Sequence, residues 1–167
     1  MARRVFFSFH FDNDFSRTQL VRNIGGLQGN KPVNSNKWED VKRNGNEGIK
    51  RWIKENIKGK SCVVVLVGSK TANRPWVNFE LAHGWSEGKG IVAVRVHGLK
   101  DLNGKTSMSG QNPLAFVNFA RPTKALASVA KIYNPAGSNS KAVYRSIADN
   151  IETWIDEAID IRNRFKT

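Results

Sequence analysis

The residue with the clearest chemical potential is Glu80, in the middle of the stretch RPWVNFELAHGW at positions 74–85. The apolar residues of this stretch recur at helical spacing and predict one buried stripe: Val77, Leu81 and Trp85. At about 100° per residue, Glu80 flanks that stripe, with Trp76 one turn before it and Gly84 one turn after it. An indole on one side and no side chain on the other can leave a pocket beside the carboxylate. Most helix glutamates are solvated, so geometry alone leaves function and surface decoration both open.

Familiar catalytic templates are absent around this carboxylate. No G-x-G-x-x-G follows the first strand, and there is no phosphate-binding G-x-x-x-x-G-K motif. The three histidines have no metal-ligand spacing, and a serine–histidine pair lacks a recognisable nucleophile elbow. We therefore expect neither a metal site nor a hydrolase triad.

The elements that must position Glu80 alternate between strand and helix. The strands are predicted in RRVFFSFHF, in SCVVVLVGS, at 91–96 and, more briefly, near 131–133. The helices are predicted at about 13–24, capped by Asp12, Asn13 or Asp14, then at 49–57, from Pro75 to Gly88, and at 140–162. This alternation predicts an α/β flavodoxin-like three-layer sandwich with a central parallel sheet.

Ligands bind beyond the carboxyl ends of the strands in such sheets. The first strand ends in SFHFDND, which offers Phe9, His10 and Phe11 at that edge. Aromatic rings there could hold a base or a nicotinamide ring, and His10 could contact a phosphate or a hydroxyl. By alternation, Ser8 shares a strand face with Phe6, and Phe9 shares the other face with Phe7.

Composition limits the class of protein. The chain has 167 residues, a net charge of +13 and one cysteine, Cys62. No apolar run approaches the roughly 20 residues that a membrane span needs. A disulfide framework within the chain is impossible, and the lone buried thiol suits a cytoplasmic location. The charge favours polyanions, so a basic nucleic-acid-binding domain stays open as a lesser alternative.

Two stretches carry a resemblance to TIR domains. RVFFSFHFDND resembles their first strand, which ends in F-x-S-[FY], and VVVLVGSKTANRPWVNFEL resembles their W-x-x-x-E-[LI] signature, matched by Trp76, Glu80 and Leu81. RVFFSFHF, WEDVKR…GIKRWI and GQNPL look like the TIR proteins of Thoeris antiphage systems. The resemblance covers roughly residues 3–114 with motifs. It implies a single TIR-like domain over 1–167.

The resemblance also implies a reaction. Glu80 would be the catalytic residue of an NAD glycohydrolase or ADP-ribosyl cyclase that makes a cyclic ADP-ribose-type signal. NAD would be the substrate, with no cofactor. One carboxylate is enough because the leaving nicotinamide already carries a positive charge and needs no general acid. Where many TIR domains carry R-D-x-x-P-G, this chain has NKPVNSNKWEDVKRNGN, and Asp40 or Glu39 would supply a polar group to the pocket.

Cyclisation requires that the site exclude water. The long segment at about 98–138 is predicted to be an insertion or lid, with Asn112 near the substrate. The implied partners are a phage-derived activator or a second copy of the chain, and a separate effector that reads the signal, with no membrane partner. A non-catalytic TIR interaction module remains the main alternative.

Overall fold

The computed structural model describes residues 3–29, 40–119 and 124–165, leaving aside the side chains of residues 11–13. Within this part of the chain, five strands form one sheet in the order β2-β1-β3-β4-β5, and every pairing is parallel. The strands are β1 (Arg3–Ser8), β2 (Leu27–Gln28), β3 (Cys62–Val67), β4 (Gly90–Arg95) and β5 (Lys131–Tyr133). The predicted α/β flavodoxin-like fold is confirmed.

Helices cover both faces of the sheet. They are α1 (Phe11–Arg22), α2 (Gly45–Ile57), α3 (Pro75–Ser86) and α4 (Ser140–Asn163), with two 3-10 turns at Pro113–Phe116 and Leu126–Ser128. Helices α1 and α4 pack on one face, and α2, α3 and the 3-10 turns pack on the other. Among the described residues no helix is both long enough and apolar enough to cross a membrane.

The apolar run of β3 is explained by burial on both faces. Cys62, Val64 and Leu66 face the α1–α4 layer, whereas Val63, Val65 and Val67 face the α2–α3 layer. Each of the six is fully buried. The predicted burial of Cys62 is therefore confirmed, and that burial raises the pKa of its thiol.

The start of α1 differs from the prediction. The helix begins at Phe11 and its N-cap is His10, which makes no side-chain capping bond. Asp14 lies inside the helix, fully buried, and forms an ion pair with Arg17 at 3.1 Å. The prediction that Asp12, Asn13 or Asp14 caps the helix was wrong, because the helix already begins at Phe11, which places all three residues inside it.

The segment at 98–138 is not one continuous loop. It contains both 3-10 turns and β5, which pairs with β4. Residues 120–123 lie outside the described part. The predicted short strand at 131–133 is confirmed. The helix predicted at 140–162 is confirmed as α4.

The sheet order places a topological switch between β1 and β3. The chain leaves β1 towards β2 on one side and returns to β3 on the other, so the crevice opens at the carboxyl ends of these two strands. Ser8 ends β1, and Gly68 follows β3 directly.

Candidate functional site

Glu80 and Ser8 meet at the switch between β1 and β3. Ser8 Oγ donates a hydrogen bond to Glu80 Oε1 at 3.0 Å, although 72 residues separate the two in sequence. Ser8 has no exposed surface and Glu80 keeps 8% of its surface exposed. A glutamate at this level of burial is uncommon unless it is paired with another group. Glu80 is therefore not a solvated surface residue.

The local sequence explains how Glu80 reaches Ser8. Pro75 begins α3 at a position where a missing N–H costs nothing, just after the β3 loop. At Gly84, an added Cβ would lie 2.6 Å from Val63 Cγ2, so the absent side chain lets α3 approach β3 closely. Val63 and Ile91 fill the space beside Gly84. The expectation that Gly84 leaves a pocket was wrong, because this glycine serves close packing.

Burial changes the protonation of the Glu80 carboxyl group. Removal from water raises its pKa to about 8, and the hydrogen bond from Ser8 offsets part of that rise. The group is therefore mostly protonated near neutral pH when no ligand is present. A cation placed beside it would favour the carboxylate form.

Trp76 and Phe9 lie on different sides of the sheet. Trp76 lies one turn before Glu80, is partly buried against the α2–α3 layer and meets Phe79 edge-on at a ring-centroid distance of 6.0 Å. Phe9 packs against the α1–α4 layer and contacts Phe15, with ring centroids 6.5 Å apart. The two rings therefore do not form one sandwich on a single face of the sheet.

The other predicted contact residues have different surroundings. His10 is half-buried at the start of α1, and Phe11 is the first residue of that helix, with its side chain outside the described part. Asp40 is exposed and pairs with Arg43 at 2.7 Å. Glu39 lies outside the described residues.

Asn112 has a local structural task. Its side-chain oxygen accepts a hydrogen bond from the Leu114 backbone N–H at 3.0 Å and caps the first 3-10 turn. Leu114 is fully buried in the α2–α3 layer. Asn112 therefore fixes the point where the chain enters that layer.

A buried polar group at the same edge of the sheet was not predicted. Arg17 keeps only 2% of its surface exposed and donates to the backbone oxygens of Leu99 at 2.8 Å and Lys105 at 2.9 Å. Its partner Asp14 lies directly against Gly68 at the end of β3. The sequence signal was the weak apolar periodicity of α1, which reflects polar residues on its inner side.

Metal binding finds no support in the described part of the chain. No group of three or more His, Cys, Asp or Glu side chains there could hold a metal ion.

A cavity of about 460 Å³ lies near the other end of α3. The residues that line it are Lys54, Glu55, Ile57, Lys58, His83, Glu87 and Lys89. We call this the basic cleft. Glu80 is not among its lining residues, so the basic cleft is separate from the switch-point site.

Together, the sheet order and the buried carboxyl group define an α/β domain of flavodoxin-like topology with an acidic residue at its switch point. A family model described as "Thoeris protein ThsB, TIR-like domain" matches residues 6–101, more than half of the 167 residues. The chain therefore belongs to the ThsB family of TIR-like proteins. The predicted membership is confirmed.

One similar protein is from Bacillus cereus (strain MSX-D12) and is named "Putative cyclic ADP-D-ribose synthase ThsB1". The two are 34% identical over an alignment of 125 positions, which covers 71% of this chain and 65% of that protein. This chain thus matches slightly less than two thirds of its relative's length.

One solved structure that resembles this chain is FerB, a flavoenzyme NAD(P)H:(acceptor) oxidoreductase from Paracoccus denitrificans. The superposition covers 98% of this chain and 98% of FerB, with 13% identity and a TM-score of 0.40. So distant a likeness carries no argument about this protein.

Proposed function

We propose that this protein cleaves nicotinamide from NAD and closes the ADP-ribose part into a cyclic signal molecule. The observation that carries the proposal is the buried Glu80 carboxyl group, held by Ser8 at the switch point where such sheets bind ligands. Family membership and the name of the Bacillus cereus relative support the same reaction class.

The chemistry fits a single carboxylate. The bond between ribose C1′ and the nicotinamide nitrogen breaks, and its electron pair neutralises the positive ring. Positive charge then develops on the ribose, where a carboxylate in a water-poor site stabilises it strongly. An adenosine atom attacks C1′ to give the cyclic product, or water attacks to give ADP-ribose. Either attack releases one proton, which the Glu80 carboxylate can accept.

The raised pKa of Glu80 links substrate binding to activation. In the empty site the carboxyl group, with a pKa of about 8, holds its proton near neutral pH. The cationic nicotinamide ring beside it favours ionisation, because an opposite charge stabilises the carboxylate. The reactive form would therefore be generated when NAD arrives.

The remaining contacts are assigned by position. Phe9, His10, Phe11 and Trp76 border the carboxyl edge or the first turns of the adjoining helices, where rings and a histidine can hold a dinucleotide. Asp40 and Asn112 complete the candidate set. NAD would be the substrate, with no further cofactor.

The biological partners form part of the proposal. The product would be read by a separate effector, and a phage-derived activator or self-association would switch the enzyme on. We place this reaction in the cytoplasm, where NAD is available.

The test compares wild-type protein with Glu80→Gln and with a matched control, Glu87→Gln. Glu87 ends the same helix, and its side chain is 57% exposed. Each protein is incubated with NAD, with and without lysate of phage-infected cells, and the products are identified by mass spectrometry. We expect Glu80→Gln to lower nicotinamide release by about 1,000-fold, as loss of a main electrostatic stabiliser does, and Glu87→Gln to match wild type.

Two results would count against the proposal. Equal turnover by wild type and Glu80→Gln would remove Glu80 from the chemistry. No nicotinamide release by wild type in the presence of infected-cell lysate would leave the non-catalytic interaction module as the better account.

A further inference from the structure

Residues 98–112, which we call the strap, cross the carboxyl edge of the sheet from one helical layer to the other. Near its start, Leu99 is fully buried in the α1–α4 layer. Just beyond its end, Leu114 is fully buried in the α2–α3 layer. The strap therefore spans the edge at which Ser8 and Glu80 meet, with an apolar anchor on each side.

The first half of the strap has a preformed loop. Asp101 Oδ1 accepts the backbone N–H groups of Asn103 at 2.9 Å and Lys105 at 3.0 Å. The Asp101 N–H donates to the Lys105 oxygen at 2.9 Å, and Gly104 adopts a positive φ of 74°. These bonds lower the pKa of Asp101 and order the backbone oxygens that face α1.

Arg17 attaches this loop to α1. Its Nε and Nη2 donate to the oxygens of Leu99 and Lys105, and its Nη1 binds Asp14 at 3.1 Å. The planar guanidinium group presents these three donors from three nitrogens in a fixed fork, whereas a lysine would present its donors from a single nitrogen and would not match this geometry. The bonds from Arg17 to Leu99 and to Asp14 are buried and are made with little competition from water, whereas the bond to Lys105 is partly buried.

The second half of the strap lies directly on the end of β3. A Cβ added at Gly110 would come within 2.3 Å of the Gly68 backbone oxygen. Arg95, the last residue of β4, donates to the Gly110 backbone oxygen. Gly68 in turn touches the Asp14 carboxylate, where an added Cβ would lie 2.1 Å from Oδ2. One contiguous set of contacts thus joins α1, β3, β4 and the strap.

We propose that Arg17 is a positioning residue that holds the strap as a fixed wall over the switch-point site and thereby favours cyclisation over hydrolysis. This inference rests on the NAD cleavage proposed above. Cyclisation needs the adenosine half folded back onto C1′ and water kept out. A strap released from α1 admits water, and the product then shifts from cyclic ADP-ribose to ADP-ribose.

The test uses two variants and one matched control. Arg17→Lys keeps the charge beside Asp14 and loses the forked geometry. The double variant Asp14→Asn with Arg17→Gln removes both buried charges and guards against misfolding. Arg3→Met is the control, because Arg3 also bridges two elements, binding Asp156 at 2.8 Å and Glu152 at 3.1 Å, at the opposite edge of the sheet.

Two readouts separate positioning from general stability. Amide hydrogen exchange over residues 98–112 should rise about 10-fold in both Arg17 variants, as loss of about one buried hydrogen bond predicts. The ratio of cyclic product to ADP-ribose should fall by a similar factor, while total nicotinamide release changes less. Arg3→Met should lower the melting temperature and leave both readouts unchanged.

Unchanged exchange in the strap would overturn the positioning role whether or not the protein acts on NAD. Faster exchange with an unchanged product ratio would overturn the effect on cyclisation. If wild type releases no nicotinamide, the proposed reaction and the cyclisation effect fail together, and hydrogen exchange alone still decides whether Arg17 holds the strap.

Discussion

The two edges of the sheet carry charge in opposite ways. At the carboxyl edge, Asp14, Arg17 and Glu80 are buried, with hydrogen bonds to specific partners. At the amino edge, Lys54 and Lys58 of the basic cleft are exposed near the end of α2. Burying a charge costs free energy, whereas a solvated lysine near a helix C-terminus is mildly favourable. The ionisable groups that are costly to bury are therefore the better guide to function.

The same contrast appears in two ion pairs of identical spacing. Asp14–Arg17 and Asp40–Arg43 are both i,i+3 pairs, with distances of 3.1 Å and 2.7 Å. The first pair has side chains 0% and 3% exposed, and the second 68% and 76%. Exposed pairs of this kind contribute about 0–1 kcal/mol, whereas breaking a buried one costs about 3–5 kcal/mol. Sequence spacing alone does not distinguish them.

The largest expected effect is on the pH dependence of stability at Glu80. Its pKa is about 8 in the folded protein and near 4.5 when unfolded, so folding favours the protonated form. The stabilisation is complete below pH 4.5 and is lost as pH rises through 8. Glu80→Gln lacks this loss and should gain on the order of 4 kcal/mol over wild type between pH 5 and pH 9.

Chemical denaturation of both proteins across this pH range checks the prediction. Glu87→Gln is the control and should follow wild type, because Glu87 is exposed. Parallel curves for Glu80→Gln and wild type would mean that Glu80 is solvated and that the contrast between the two edges is wrong.

Ser8→Ala should have the next largest effect, on catalysis. The substitution removes the hydrogen bond from Ser8 Oγ to Glu80 Oε1. That bond lowers the pKa of the Glu80 carboxyl group, so its loss raises this pKa. We expect nicotinamide release to fall by about 10- to 100-fold, equivalent to about 1.4–2.7 kcal/mol. The pKa seen in the pH profile of kcat/KM should move upward.

A pH profile of kcat/KM measured from pH 6 to 9.5 distinguishes a misplaced Glu80 carboxyl group from loss of the folded structure. Ser8→Thr keeps the hydroxyl group and should recover part of the activity. Turnover by Ser8→Ala at the wild-type rate and with the wild-type profile would show that the 3.0 Å contact has no catalytic consequence.

Ser8 and Glu80 also show how much of the candidate site could be predicted from the sequence. The continuous apolar runs of β3 and β4 predicted both strands correctly. Helical projection of α3 placed Glu80 beside the buried apolar stripe of that helix. The Ser8–Glu80 contact depends on strand register and on the approach of α3, which no local pattern encodes. Arg17 was missed because its bonds go to backbone oxygens more than 80 residues away.

Gly84→Ala tests the close approach of α3 to β3 and is expected to have an effect smaller than that of Ser8→Ala. The added methyl group would lie 2.6 Å from Val63 Cγ2, so the helix or the valine must move. Better helix propensity offsets part of the strain, which leaves a net cost of about 1–2 kcal/mol. Because the shift also separates Glu80 from Ser8, nicotinamide release should fall in Gly84→Ala, whereas Arg3→Met, which removes ion pairs at the opposite edge of the sheet, should leave it at the wild-type level.

Urea denaturation and nicotinamide release, measured on the same samples, check both expected effects of Gly84→Ala. Ser86→Ala, an exposed change on the same helix, should leave both quantities unchanged. A Gly84→Ala protein with wild-type turnover would mean that α3 need not lie so close to β3.

The smallest effect is expected in the basic cleft. The triple variant Lys54→Gln, Lys58→Gln and Lys89→Gln removes three positive charges from a protein of net charge +13. Changes at solvated positions usually alter the free energy of unfolding by less than about 0.5 kcal/mol each. We expect NAD turnover within about two-fold of wild type, since Glu80 does not line the cleft and salt screens exposed charges. A fall in NAD turnover of about 10-fold or more at physiological salt would mean that the basic cleft takes part in the reaction. The amino edge of the sheet would then matter more for function than the carboxyl edge.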